Sequence, residues 1–285
     1  MRCHLMTLCA TVAAGLLLPA AGGCSTNPVT GRRELILVPR DQEIAMGDEA
    51  APQFAKEFDG PVANSKLQAY VQAVGAKVAA VSDREMPYEY TLLASDVPNA
   101  FALPGGKIFV TAGLMRRMAN ERQLAAVLGH ETGHVANRHN VKGMQRQVGV
   151  TVLAELAGAV VGEDKGKAAK AAAAIVGNMA SLRYTRSDEY EADKTGITYM
   201  ARAGYNPHGM VELLTVLLNM SESEPGTLTE MFQTHPLTSK RIEEAKGIIA
   251  ADEALRKYSA AAPDPNEPRF RKMHALLIAT LNKGK

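Results

Sequence analysis

Residues 130–134 read His130-Glu131-Thr132-Gly133-His134, an H-E-x-x-H pattern inside an apolar run with helical spacing. Positions i and i+4 of a helix share one face, so both imidazoles can reach one cation. Glu131 lies about 100° further round the same turn, which sets its carboxylate beside such an ion rather than on it. Two imidazoles with an adjacent carboxylate are the chemistry of a zinc site with a general base for water. Catalytic zinc commonly takes three protein ligands and keeps a fourth position open. A third ligand must therefore come from elsewhere in the chain.

His139 is the nearest candidate. The pattern H-E-x-x-H-x-x-G-x-x-H would need Gly at 137 and His at 140, and Asn137 and Asn140 stand there. On a continuous helix His139 would lie about 180° from His130, so it reads as a surface or supporting histidine. Glu189 is the better candidate. It sits in Thr185-Arg186-Ser187-Asp188-Glu189-Tyr190-Glu191-Ala192-Asp193, four residues before Asp193 and so on the same helical face. One of these carboxylates can bind the ion while the other holds a ligand histidine through its second nitrogen. In isolation the segment would read as a solvated acidic face. Glu191, about 200° round from Glu189, reads as that.

These groups need a scaffold. Asn120-x-x-Gln123 resembles a capping box opening a helix over residues 121–137. Gly129 and Gly133 weaken that helix by roughly 1 kcal/mol each against Ala, tolerable where another element must pack closely. Residues 88–94 alternate and are rich in β formers. Residues 99–102 and 108–110 flank a hairpin turn at Leu103-Pro104-Gly105-Gly106-Lys107. A small, largely antiparallel sheet is therefore expected beside the H-E-x-x-H helix. Residues 41–82 read as two packing helices broken at Asp59-Gly60-Pro61. Residues 147–180 hold two Ala/Val-rich stretches, each too short to span a bilayer comfortably, which takes about 20 apolar residues. They read as a buried helical hairpin, or alternatively as a lid or membrane-facing flap. Residues 185–203 read as a helix stopped by Gly204, and Asn206-Pro207 starts another, running to 220. Residues 221–226 read as a polar loop, 259–268 as a linker and 270–282 as a last helix. The fold class is α+β, mainly α-helical.

The 285 residues are 46% hydrophobic and 22% charged with a formal net charge of +2. That fits a globular core and gives no basic face for nucleic acid. Arg2, an apolar run over residues 5–21 and Gly22-Gly23-Cys24 have the form of an export signal. Cys24 after two small residues is a candidate lipidation site; ordinary signal cleavage or an uncleaved anchor are the alternatives. The chain has three cysteines. Cys3 and Cys9 would leave with the signal, so stability must come from packing and metal.

His130-Glu131-x-x-His134 followed by Arg186-x-x-Glu189-x-x-Ala192-Asp193 resembles the HtpX/CAAX-protease-type zinc metallopeptidases, which are gluzincins. The Asn99-Ala100-Phe101-Ala102 and Pro104-Gly105-Gly106 stretches match too, as does His235-Pro236-x-x-x-x-Arg241. Thr26-Asn27-Pro28-Val29-Thr30-Gly31-Arg32 is similar to the periplasmic lipoprotein branch, and Ser25 after the cysteine favours the outer membrane. The resemblance covers roughly residues 24–250. It implies a zincin-type fold with one zinc ion on His130, His134 and Glu189, and Glu131 as general base. Asp193 would support a ligand histidine. His235 and Arg241 are oxyanion-donor candidates; alternatively His235 gates the zinc's open position, or sits in a packed loop. Residues 99–102 would be an exposed edge to which an extended substrate adds as a strand. The implied organisation is a signal over 1–23, a lipidated arm over 24–39, a metallopeptidase domain over 40–258 and a linker with a helix over 259–285. The expected function is hydrolysis of misfolded or unassembled envelope proteins in the bacterial periplasm, with an outer-membrane assembly machinery as a possible partner. The alternative is an assembly factor or chaperone whose proteolysis is gated or minor.

Overall fold

Asn27 organises the start of the computed structural model, which describes residues 23–223, 226, 229–237 and 239–283. The expected export signal lies, except for Gly23, outside these residues. Strands β1 (Gly23–Thr26) and β2 (Arg33–Ile36) pair antiparallel, with Cys24 opposite Leu35. Between them the Asn27 carboxamide accepts from the Val29 and Thr30 amides at 2.9 and 3.1 Å and donates to Glu34 at 3.0 Å. Gly31, at φ 69°, supplies the left-handed residue that closes the turn. The expected arm is thus an ordered hairpin.

Helices α1 (Arg40–Glu57) and α2 (Ser65–Ala79) follow, broken where expected, with Asp59 and Gly60 both at positive φ. The sheet comes next: β3 (Glu89–Leu93), β4 (Ala100–Ala102), a 3-10 turn at Pro104–Gly106, and β5 (Lys107–Thr111). Its order is β3-β5-β4, with β5 parallel to β3 and antiparallel to β4. The sheet is mixed, where a largely antiparallel one was expected. The reason lies in β5, whose five residues are all buried. A strand buried on both faces takes the centre, so the hairpin folds it back between its two predecessors.

The sheet also divides the interior, because successive side chains point to opposite faces. Tyr90, Leu92, Ala100, Ala102, Ile108 and Val110 enter one core; Leu93, Phe101 and Phe109 enter another. The remaining elements surround these cores: α3 (Ala112–Met115), α4 (Glu121–Ala136), α5 (His139–Val148), α6 (Val150–Val161), α7 (Lys165–Ala180), α8 (Arg186–Arg202), α9 (His208–Ser223), α10 (Thr229–Thr234), α11 (Ser239–Ala251) and α12 (Glu267–Lys283). Gly204, at φ 84°, ends α8 as expected.

Helices α6 and α7 pack on each other and on α1, sending Leu153, Ala157, Ile175, Val176 and Met179 into the second core. The hairpin is half-buried rather than buried: Val152 and Val161 on α6 are 45% and 54% exposed. No described helix is long and apolar enough to cross a membrane. Residues 259–268, expected as a linker, are docked. Asp264 accepts from the Arg122 amide at 2.9 Å, and Phe270 and Leu277 of α12 enter the first core. Arg269 of α12 pairs with the fully buried Glu121 at the start of α4.

Candidate metal centre

Two helices cross at the site, and glycine lets them do so. A Cβ added at Gly133 of α4 would stand 2.9 Å from the Ala192 carbonyl oxygen, and one at Gly129 would stand 3.3 Å from that of Gly196. The missing side chains bring α8 to backbone contact, which offsets their poor helix propensity. Asn120 caps α4 by accepting from the Gln123 amide at 3.0 Å. The Gln123 side chain returns to the Ala119 amide at 2.8 Å, one residue short of a reciprocal capping box. The reciprocal box is on α8, where Thr185 and Asp188 exchange side-chain-to-backbone bonds of 3.0 and 3.1 Å.

The crossing brings His130, His134, Glu189 and His235 together, all buried, with one ligand atom of each within 4.8 Å of the others. The Nε2 atoms of His130 and His134 are 3.0 Å apart, and Glu189 Oε1 is 3.3 Å from His134 Nε2. His130 Nδ1 lies 2.9 Å from Asp193 Oδ1, an acceptor, so Nδ1 carries the hydrogen and Nε2 a lone pair. Lone pairs and a carboxylate converging in a buried space fit a divalent cation. The buried Glu131 Oε2 has no hydrogen-bond partner, and its Oε1 lies 3.8 Å from His235 Nε2, so the carboxylate stands beside the cluster as a base for water would.

Electrostatics support the arrangement. Burial holds the His134 ring well below the usual histidine range, keeping it neutral, as a metal ligand must be. Burial pushes Glu189 up, but Arg241, His235 and His130 outweigh it and hold its carboxyl well below the ordinary range. Burial likewise raises Glu131, here against the pull of His235 and His130. For His235 burial lowers the pKa, yet Glu189 and Glu131 bring the net shift upward.

The expected residues assemble with two corrections, at Arg241 and Glu191, and a choice between the readings of His139. Arg241 does not offer a free donor to an oxyanion. It forks onto Asp193 at 2.7 and 2.8 Å, reaches Glu189 Oε2 at 2.5 Å and the Pro236 carbonyl at 3.4 Å. Two buried carboxylates claim it, and it anchors them. Of the two readings of His139, the supporting one holds: it is fully buried, with Nδ1 3.0 Å from His134 Nδ1. The continuous-helix projection failed because α4 ends at Ala136. Arg138, at φ 59°, turns the chain so that α5 begins with His139 folded back. Glu191, expected in solvent, is partly buried between His139 and Arg32.

The expected substrate edge also differs. β4 is the sheet's edge in pairing order, yet Asn99, Ala100, Phe101 and Ala102 are 1%, 0%, 6% and 1% exposed. Phe101 packs against Phe54 and Phe58, and the small Ala100 and Ala102 let α4 approach the strand. Asn99 Oδ1 accepts the outward Ala100 amide at 2.9 Å.

Sequence reasoning missed Tyr184, whose ring stacks on His134 with centroids 3.8 Å apart at 21°. It also missed Arg84, buried against Glu43 and donating to the Val135 carbonyl at 2.8 Å, near the end of α4. Neither has a local signal, since both partners are distant in sequence. Beside His130, Glu131 and His235 lies an apolar cleft lined by Val127, Met210, Leu213, Leu214, Leu217, Met231 and Phe232.

Comparison with known proteins agrees with this geometry. The model of peptidase family M48 matches residues 65–249. The chain is 31% identical over 253 residues to the beta-barrel assembly-enhancing protease of Escherichia coli K12, covering 84% of this chain and 50% of that protein. It is 30% identical over 222 residues to the metalloprotease LoiP of the same organism, covering 74% and 82%. The mitochondrial metalloendopeptidase OMA1 of Schizosaccharomyces pombe is 27% identical over 252 residues, covering 87% and 73%. The chain spans about half the length of the assembly-enhancing proteases it matches.

Proposed function

The chain belongs to peptidase family M48, and from that premise we propose that it is a zinc-dependent endopeptidase for misfolded or unassembled cell-envelope proteins. The observation that carries this reading is the buried, partnerless Oε2 of Glu131 beside the His130–His134–Glu189 cluster. Zinc held by these three residues would supply Lewis acidity toward the scissile carbonyl and lower the pKa of water toward ~7. Glu131 takes the proton of the attacking water and delivers it to the leaving amine. Its burial, which raises its affinity for that proton, suits this double task. Arg241 and Asp193 hold Glu189 and His130 in place. The cleft beside the cluster is apolar but too narrow as it stands to take a substrate side chain. Glu131→Gln keeps the metal site and loses about 10²–10⁴-fold in peptide hydrolysis. Zinc content and casein digestion measured together test it, and full activity in the variant would falsify the assignment.

A second reading concerns His235. Its Nδ1 lies 3.0 Å from Glu189 Oε1 and 3.4 Å from His130 Nε2, within the donor cluster itself. This placement favours a gate, in which His235 fills the position that substrate needs and leaves it when α10 shifts. In the open state the same imidazole can donate to the developing oxyanion.

For location, Arg2, the apolar run and Gly22-Gly23-Cys24 support export to the bacterial periplasm and lipidation at Cys24, and Ser25 after the cysteine supports the outer membrane. The name of the Escherichia coli relative, a beta-barrel assembly-enhancing protease, supports an assembly machinery as a partner. Loss of labelled-palmitate incorporation and of membrane fractionation in Cys24→Ser is the expected result; retention of both sinks the anchor. If casein digestion is absent with zinc bound and unaffected by chelator, the assembly-factor reading replaces the protease.

A further inference from the structure

His134 and His139 meet nitrogen to nitrogen, Nδ1 to Nδ1 at 3.0 Å. One must donate and the other accept. The far side of His139 decides which. Its Nε2 lies 3.2 Å from Glu191 Oε2 and 3.7 Å from Asp188 Oδ1, both acceptors. His139 therefore carries its hydrogen on Nε2 and offers a lone pair at Nδ1. His134 must then donate from Nδ1, which leaves the Nε2 lone pair directed into the cluster with His130 and Glu189. The other Glu191 oxygen, Oε1, is held 3.3 Å from Arg32 in the turn between β1 and β2. The same hairpin reaches α5 and its approach through Lys142–Glu34 at 3.0 Å and Arg138–Ser25 at 2.9 Å.

We propose that His139, oriented by Glu191, is the positioning residue of His134: it sets that ligand's tautomer for metal binding, and the N-terminal hairpin braces the relay through Arg32. The relay is the counterpart of Asp193 and Arg241 behind His130. It differs in that a second imidazole stands where His130 has a carboxylate. Partners of ligand histidines commonly govern metal affinity by 10–100-fold. Arg32 is largely exposed, so its contribution is screened and small.

The inference rests on the zinc reading, so its test measures zinc rather than turnover. Full-length wild type, His139→Ala, His139→Gln, Glu191→Ala and Arg32→Ala are titrated with zinc against a chromogenic chelator. Thermal melting of the metal-free forms checks folding, and cobalt(II) absorption reports the ligand field. Expected is a roughly 10–100-fold weaker zinc affinity for His139→Ala, with altered cobalt bands. A glutamine carboxamide can accept from His134 and donate to Glu191, so His139→Gln restores most of the loss. Glu191→Ala shows a smaller loss in the same direction, and Arg32→Ala the smallest. If His139→Ala fails to fold, Glu191→Ala and His139→Gln carry the test. Wild-type affinity in Glu191→Ala and His139→Ala, or a glutamine variant as weak as the alanine one, overturns the inference. Failure of wild type itself to bind zinc overturns the metallopeptidase reading instead.

Discussion

The seam between α4 and α8 and the connection from α10 to α11 both deliver groups to one cluster, but they are built differently. The seam is backbone against backbone, with all sixteen residues of α4 buried and glycine at each close approach. It carries His130, Glu131, His134, Glu189 and Asp193. The connection is a six-residue helix and a short loop carrying His235, followed by α11 with Arg241. Groups that must hold an ion sit on long helices with no room to shift. His235, the proposed gate, sits on a shorter element, itself held by the buried Met231 and Thr234. Arg241 joins the two, reaching from α11 to both carboxylates of α8.

That joint gives the largest expected effect. Arg241→Ala leaves Glu189 and Asp193 buried without their guanidinium, and a broken buried pair costs about 3–5 kcal/mol. Urea unfolding of the metal-free protein measures it; a loss below 1 kcal/mol would mean the joint is not structural. Gly133→Ala probes the seam alone. Overpacking of about 1–3 kcal/mol against the Ala192 carbonyl exceeds the roughly 1 kcal/mol gain in helix propensity, so the variant is less stable. A stabilised variant would show that the helices can separate freely. His235→Ala probes the connection. The gate reading expects severalfold faster casein turnover, whereas strongly reduced turnover would return His235 to a purely catalytic role. Val161→Ser lies outside both regions, on the exposed face of α6, and changes stability by less than about 0.5 kcal/mol. A larger loss by the same measurement would mean that this face is covered in solution.

Much of the site was legible because it is local. The spacing of His130 and His134, the pairing of Glu189 with Asp193, the cap at Asn120 and the stop at Gly204 all follow from helix periodicity and terminal chemistry. The failures share a cause too. The angle projected for His139 was wrong because one left-handed residue, Arg138, ends the helix on which it was drawn. Glu191 looked solvated because its partners lie on α5 and in the N-terminal turn. The sheet read as largely antiparallel because its one hairpin is local, while the parallel β3–β5 pairing joins strands that are not consecutive. Arg241 was a plausible oxyanion donor until α11 was placed against α8.

By itself the sequence determined the two half-sites: a pair of imidazoles with a base beside them, and a pair of carboxylates one helical turn apart. Short-range geometry sets such spacings whatever the surroundings. Tertiary structure decided that the halves meet, which nitrogens face inward and which cation binds which carboxylate. Those choices depend on the packing of groups far apart in the chain, whose desolvation and pairing no local window contains.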